Sequence, residues 1–270
     1  MLGRRRWGAA TVVLALALIG AYIAFVAKKD GKHDAAAPPG CHVSLDATTY
    51  SFGVEQTAHA TTIAAVGKRL GMPDHAVTVA IATALQESRL HNLDHGDRDS
   101  LGLFQQRPSQ GWGSPDEVMT PHYAAGVFFE RLAGVEGWET LPVTTAAQHV
   151  QRSAAPAAYG KWEQQARALA QATTGEIPAG LACRFDTGPA AESAAPLRLA
   201  IAHELGSPAL DVPVPDARGW TVASWLVGHS AQFGITSVSY SGQIWTPSTG
   251  RWLAYGGPLD AIVRISQEPA

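Results

Sequence analysis

Three different hydrophobic rhythms follow one another along the chain. The first is a run without a charged residue, "WGAATVVLALALIGAYIAFVA", from Trp7 to Ala27. As a helix it rises about 31 Å, enough to cross a hydrocarbon core of roughly 30 Å. Arg4, Arg5 and Arg6 precede it, which predicts a cytoplasmic N-terminus and an outward-facing remainder. Lys28, Lys29 and Lys32 partly oppose that orientation, and Asp30 and Asp34 offset them only weakly. The alternative is a cleaved signal peptide, which has an apolar region of about 7–15 residues and a small-x-small site; "AFVAKKD" fits that poorly.

The second rhythm is helical. After a polar, proline-bearing tether, "KKDGKHDAAAPPG" (28–40), apolar residues recur near 3.6-residue spacing at Ala58, Ile63, Val66 and Leu70, and Gly71 stops the run. Pro73 and Asp74 suit the first turn of a second helix, which carries Val77, Ile81, Ala84 and Leu85 on one stripe. Steps of about 100° place Glu87 beside that stripe, over the small side chains of Ala76, Ala80 and Thr83. Further helices are predicted over about 121–133, 143–153 and 158–173, with one long loop over roughly 91–120. The region is expected to be all-α.

The third rhythm begins after the break "DTGPAAESAAP" (186–196). "GWTVASWLVGHSAQFG" reads as a helix ended by Gly234, and "ITSVSYS", "QIWT", "RWLAY" and "AIVRIS" read as short strands. Gly242 and "PSTG" mark hairpin turns. The expected organisation is an anchor (1–27), a tether (28–40), a helical domain (41–184), a linker (185–195) and a small α/β domain (196–270), so α+β overall.

Composition narrows the function. A net charge of -3 and no basic stripe give no electrostatic reason to bind nucleic acid. The two cysteines, Cys41 and Cys183, bracket the helical domain. An even count outside the membrane predicts a disulfide, and neither has the neighbouring cysteine that a zinc site needs.

Only 16% of residues are charged, yet polar groups crowd the segment from Ile81 to Gly113. There "QES" closes a helix, a "GDRDS" loop follows, then "LGLFQQRPSQGWG", and later "AAQHVQRSAAPAAYGKWE" (146–163). This combination, over about 55–175, resembles the lysozyme-like superfamily, above all soluble lytic transglycosylases and goose-type lysozymes. In those families a helix ends in Glu-Ser and a Gly-Leu-x-Gln segment walls a glycan cleft; here these are Glu87-Ser88 and Gly102-Leu103-Phe104-Gln105. The "GDR" of Gly96–Arg98 looks like the goose-type loop, although its gap from Glu87 is slightly shorter. The resemblance implies an all-α lysozyme-like domain, peptidoglycan glycan strands as substrate and no cofactor.

Cleaving a glycosidic bond requires a proton donor for the departing oxygen. A free glutamic acid, with a pKa near 4.3, is already ionised at neutral pH, and partial burial raises it toward the useful range. Glu87 is the expected acid. In a transglycosylase it suffices alone, because the muramic acid's own C6 hydroxyl attacks. A hydrolase needs a second carboxylate to place a water, with Asp97 the first candidate and Asp99 the next; both also suit turns in a Gly/Asp loop. Ser88, Gln105, Gln106, Trp112, Gln148 and Tyr159 are the expected substrate-contacting or positioning residues. Ser88 more plausibly orients backbone than attacks, and Trp112 suits either a hydrophobic lid or a sugar platform.

Two rival readings come from other classes. One is a non-catalytic wall-binding scaffold on the same fold. The other is a metal-handling membrane protein, suggested by His91, Asp94, His95 and Asp97 in "HNLDHGDRD"; Asn92, Asp94 and Gly96 predict a loop there, and no HExxH is present, so no metal site is expected. The C-terminal segment looks like a small module of actinobacterial cell-wall proteins and is distantly similar to zinc D-Ala-D-Ala peptidases. His203 and Asp211 lie eight apart rather than seven, and "QIWTP" lacks the last histidine. That leaves the ligand set incomplete and implies binding or positioning of the wall. Trp220, Trp225, Trp245 and Trp252 are expected in the core.

Overall fold

The computed structural model describes residues 39–153, 157–185, 194–206, 210–214, 216–257 and 259–267. The apolar run Trp7–Ala27, the tether up to residue 38 and most of the break at 186–196 lie outside the described residues. Among the described residues no helix is long and apolar enough to cross a membrane.

The fold mixes helix and strand. It opens with a hairpin of β1 (Gly40–Leu45) and β2 (Thr48–Phe52), and β3 (Ala182–Arg184) pairs along the other side of β1. The all-helical expectation for 41–184 is corrected here: the segment opens and closes on strands. The signal is a short alternation, with Cys41 and Val43 buried and Ser44 exposed, in a stretch rich in β-branched residues. Asp46 makes the tight turn at φ 52°, a conformation that aspartate tolerates better than most residues.

Register places Cys41 directly opposite Cys183, and the two are joined by a disulfide that spans 142 residues of chain. In the chain-entropy picture, closing so long a loop stabilises the fold by up to about 5 kcal/mol.

Within that loop, α1 (Val54–Arg69), α2 (Asp74–Glu87), α3 (Pro115–Val118), α4 (Pro121–Ala133), α5 (Val143–Gln151) and α6 (Glu163–Thr174) form the helical body. The central element is α2. Every residue from Ala76 to Leu85 is buried, because α1, α4, α5 and α6 all pack on it. Its alanines and threonines let neighbouring backbones come close. Thr78 and Thr83 satisfy their hydroxyls on their own helix, donating to Asp74 O (3.1 Å) and Val79 O (2.8 Å). The small side chains of Ala76, Ala80 and Thr83 beneath Glu87 are therefore covered by other helices, and only the two ends of α2 reach the surface.

Beyond the break come α7 (Ala194–Leu205), α8 (Asp216–Gly228) and α9 (Ser230–Phe233). An antiparallel sheet in the order β6-β5-β4-β7 follows, built from β4 (Ile235–Tyr240), β5 (Gln243–Thr246), β6 (Arg251–Ala254) and β7 (Arg264–Gln267). Ser241 and Gly242, both at positive φ (49° and 72°), turn β4 into β5 as a two-residue hairpin requires.

The described residues all belong to one compact unit, and hydrogen bonds cross the break. Thr221 and Ser224 of α8 donate to Thr174 O (2.7 Å) and Ala172 O (2.8 Å) of α6. Trp245 and Trp252 donate through Nε1 to Cys183 O (3.1 Å) and Leu181 O (2.8 Å). Thr62 of α1 and Trp225 of α8 both donate to Glu204 Oε2, at 2.7 and 2.6 Å. Each removes a buried polar atom from the unsatisfied state that would cost about 1–3 kcal/mol.

Titrating thiols in the denatured, unreduced chain should find none; two reactive thiols would reject the pairing. Replacing Cys41→Ser and Cys183→Ser together is expected to lower stability by about 2–5 kcal/mol in urea unfolding.

Candidate functional site

Glu87 is the last residue of α2, and the backbone beyond it leaves the helix abruptly. After Ser88, both Arg89 (φ 57°) and Leu90 (φ 62°) are left-handed. For non-glycine residues that conformation costs about 1–2 kcal/mol each, so the surrounding structure must hold it. From α1, Gln56 Nε2 donates to Arg89 O (2.8 Å) and His59 Nδ1–H donates to Leu90 O (2.7 Å). The Leu90 side chain is fully buried. The Arg89 guanidinium covers the Trp162 ring at 4.1 Å, and Trp162 Nε1 donates to Gln86 Oε1 at 3.0 Å. Burial lowers the pKa of His59 below its ordinary value, which keeps the ring a neutral donor at pH 7.

Buried Ser88 fixes the next wall. Its hydroxyl lies 3.1 Å from Ala84 O and 2.7 Å from Leu103 O, tying the tip of α2 to the "GLF" turn. Gly102 sits there at φ 75°, hard against the Val118 carbonyl, where a Cβ would overlap it. Phe104 is buried and stacks on Phe128 at 4.8 Å. The Phe104 carbonyl accepts from Gln151 Nε2 (2.8 Å) at the end of α5. On the other side, buried Tyr159 donates its hydroxyl to Glu87 Oε1 at 2.7 Å.

Glu87 is half-buried between these walls. Burial raises its pKa, and the hydrogen bonds from Tyr159 and from Gln151 pull it partly back; no charged group contributes to the shift. Burial and the adjacent Glu87 carboxylate push the Tyr159 hydroxyl well above its ordinary value, so it remains a donor across the whole working range. This arrangement suits a general acid: a carboxyl kept partly dry, oriented by one phenol, and able to exchange its proton with whatever lies beside it.

The other sequence-predicted residues are distributed as follows. The structure brings Ser88 and Tyr159 to Glu87. It does not bring Asp97, whose side chain is 94% exposed and faces only Arg98 at 4.0 Å. Both Asp99 oxygens are engaged, accepting from Arg107 Nε (2.7 Å) and Ser109 N (2.8 Å), and these bonds hold the carboxyl far below its usual range. Asp99 braces the loop ahead of the short helical turn Pro108–Gln110. Gln105, at φ 48°, donates to His95 O and Gly102 O at 3.3 Å each, closing the same loop. Gln106 is buried and donates to Ala124 O (3.0 Å), an anchor onto α4. Gln148 donates to Ser153 O (2.8 Å).

Trp112 is buried beneath the Arg131 guanidinium, 3.4 Å above its ring, and Arg131 Nη2 also donates to Gly111 O at 2.7 Å. His91 pairs with Glu55 (3.3 Å) and His95 with Asp94 (2.7 Å). His203 and Asp211 are both exposed. Among the described residues no group of three or more His, Cys, Asp or Glu side chains could hold a metal ion.

Gln151 was not singled out by the sequence, although it lies one helical turn beyond Gln148 on the same face of α5. It links Glu87 to a pocket of ≈ 630 Å³ that is also lined by Trp112, Arg131, His149 and Arg152. A space of that size falls within the range of small-molecule sites, about 300–1,000 Å³.

No family model matches the chain, and no curated protein matches it.

Tyr159→Phe removes a hydrogen bond that favours the ionised carboxyl, so the Glu87 pKa should rise further. Carboxyl carbon chemical shifts followed through a pH titration report this directly; an unchanged or lower value would refute the assigned role of the phenol.

Proposed function

We propose that this chain is a membrane-anchored, extracytoplasmic enzyme that cleaves the glycosidic bond between muramic acid and glucosamine units of peptidoglycan. In this reading the helical body is a lysozyme-like domain, the C-terminal sheet and its helices are an accessory α/β domain that positions the wall, and Trp7–Ala27 is the anchor. The observation that carries it is the half-dry Glu87 carboxyl, hydrogen-bonded to Tyr159 at the end of a helix buried from Ala76 to Leu85.

Glu87 donates its proton to the departing glycosidic oxygen as charge builds on the sugar ring. The resulting carboxylate is steadied by the Tyr159 hydroxyl and then serves as the base. Asp99 is occupied by Arg107 and Ser109, and Asp97 points to solvent. With one carboxylate available, attack by the muramic acid's own C6 hydroxyl is favoured over attack by a positioned water, which makes this a lytic transglycosylase rather than a muramidase.

The test is product analysis. The full chain and its Glu87→Gln variant are incubated with peptidoglycan, and the fragments are identified by mass spectrometry. Wild type is expected to release 1,6-anhydro ends, and Glu87→Gln to lower the rate by about 10²–10⁴-fold. Reducing ends would replace the transglycosylase with a hydrolase; wall that is bound but never cut would replace the enzyme with a scaffold.

Glu87 also sets a pH dependence. Its pKa in the fold is raised above the ordinary 4.5, so activity should fall as pH rises through the raised value and the proton donor is lost. The same group contributes its full stability below about pH 4.5, and that contribution disappears as pH rises past the folded value. Glu87→Gln should therefore be as stable as wild type, or more stable, at neutral pH, as read by thermal unfolding.

A further inference from the structure

The pocket reached through Gln151 is lined by two arginines and a histidine and by no acidic side chain. Arg131 closes it from α4, with its guanidinium flat on Trp112 and its Nη2 held on backbone carbonyls: Gly111 O at 2.7 Å and Gln110 O at 3.5 Å. Arg152 enters from the end of α5, where its backbone turns left-handed at φ 52°. That turn is fixed by its own N–H on Gln148 O (2.8 Å). Among the described residues neither guanidinium meets a carboxylate.

The two cations also act on each other. Burial and the Arg152 charge both lower the Arg131 pKa. Like charges facing one space without a counter-ion repel, and a single anion between them relieves that repulsion. Planar guanidiniums match the two oxygens of a carboxylate. The Trp112 stack supports the Arg131 plane, so little side-chain freedom remains to be lost on binding.

Resting on the assignment of Glu87 as the glycan-cleaving acid, we infer that this pocket is an anion subsite in which Arg131 and Arg152 receive a carboxylate carried by the muramic acid unit beside the bond to be cut. Two sources present that chemistry: the lactyl group once its stem peptide has been removed, and the free carboxylates of the peptide itself. The neutral sugar ring presents neither. The subsite would therefore select muramic acid strands over uncharged aminosugar polymers and set which residue stands above Glu87.

The experiment uses the full chain with Glu87→Gln, so that nothing is turned over, and titrates it calorimetrically with glycan fragments of equal length. One fragment carries stem peptides with free carboxylates, one has those carboxylates amidated, and one has been stripped to the lactyl carboxylate. Adding Arg152→Gln is expected to weaken the carboxylate-bearing fragments about tenfold or more and to leave the amidated fragment unchanged. The difference should shrink as salt is raised from 0.05 to about 0.5 M. Whichever carboxylate fragment responds identifies the source.

Arg131→Lys keeps the charge but not the fork and should show a smaller loss of the same selectivity. Equal weakening of all fragments would mean that Arg152 supports the sugar or the fold, and it would overturn the subsite. Tight, charge-indifferent binding in every variant would overturn it while leaving the Glu87 reading intact. No binding of any fragment, even without Arg152→Gln, would bring down both.

Discussion

The end of α2 is the constraint on which the site depends. A helix buried from Ala76 to Leu85 cannot simply continue into solvent, and its last carbonyls need partners. The chain turns back through two left-handed residues, Arg89 and Leu90, so that Leu90 N–H returns to Ala84 O (3.2 Å), while Gln56 and His59 of α1 donate to the carbonyls of Arg89 and Leu90. Ser88 ties the same turn to Leu103. The local conformation is costly, and long-range hydrogen bonds hold it, so Glu87 is delivered to one place by three separate segments. Five non-glycine residues with positive φ lie along the segments around the site: Arg89, Leu90, Arg98, Gln105 and Arg152. Backbone strain of this kind collects where geometry matters more than stability.

The electrostatics follow from that placement. Desolvation is the largest influence on Glu87, and two neutral donors oppose it. Had the opposing groups been cations, they would have held the carboxyl ionised and made it a poor acid. The chain keeps its arginines elsewhere. Arg107 is spent on Asp99, Arg89 on Trp162, and Arg131 on Trp112. Charge is thus kept off the Glu87 carboxyl.

Much of this was legible in the sequence, and the parts that were not have physical reasons. The helices over 54–69, 74–87 and 121–133 follow from apolar spacing, caps and stop signals, which are local. The Glu-Ser ending followed from a resemblance rather than from periodicity, and so did Tyr159, expected as a substrate-contacting or positioning residue and found bonded to Glu87 itself. The hairpin at 40–52 is local but carries only a short alternation, whereas the strand at 182–184 was hidden because its pairing is non-local: β3 is three residues long and has meaning only beside β1. The glutamines show the same limit. Gln105, Gln106, Gln148 and Gln151 are chemically identical, yet one closes a loop, one anchors onto α4, one holds the chain leaving α5 at Ser153 and one bonds the Phe104 carbonyl and acts on Glu87. Only the packed chain distinguishes them. Asp97 and Asp99 were equally ambiguous, and a neighbouring arginine and a backbone amide, not their spacing from Glu87, separate the exposed one from the engaged one.

The disulfide has a mechanical consequence. Because Cys41 stands opposite Cys183 at the border of the helical body, the chain enters and leaves that body at one covalent rivet. Tension applied between Gly40 and Arg184 would be borne by a sulfur–sulfur bond and the pairing of β1 with β3. The helices carrying Glu87 form the closed loop between those two points, so a pull of that kind cannot draw them out without first breaking the bond.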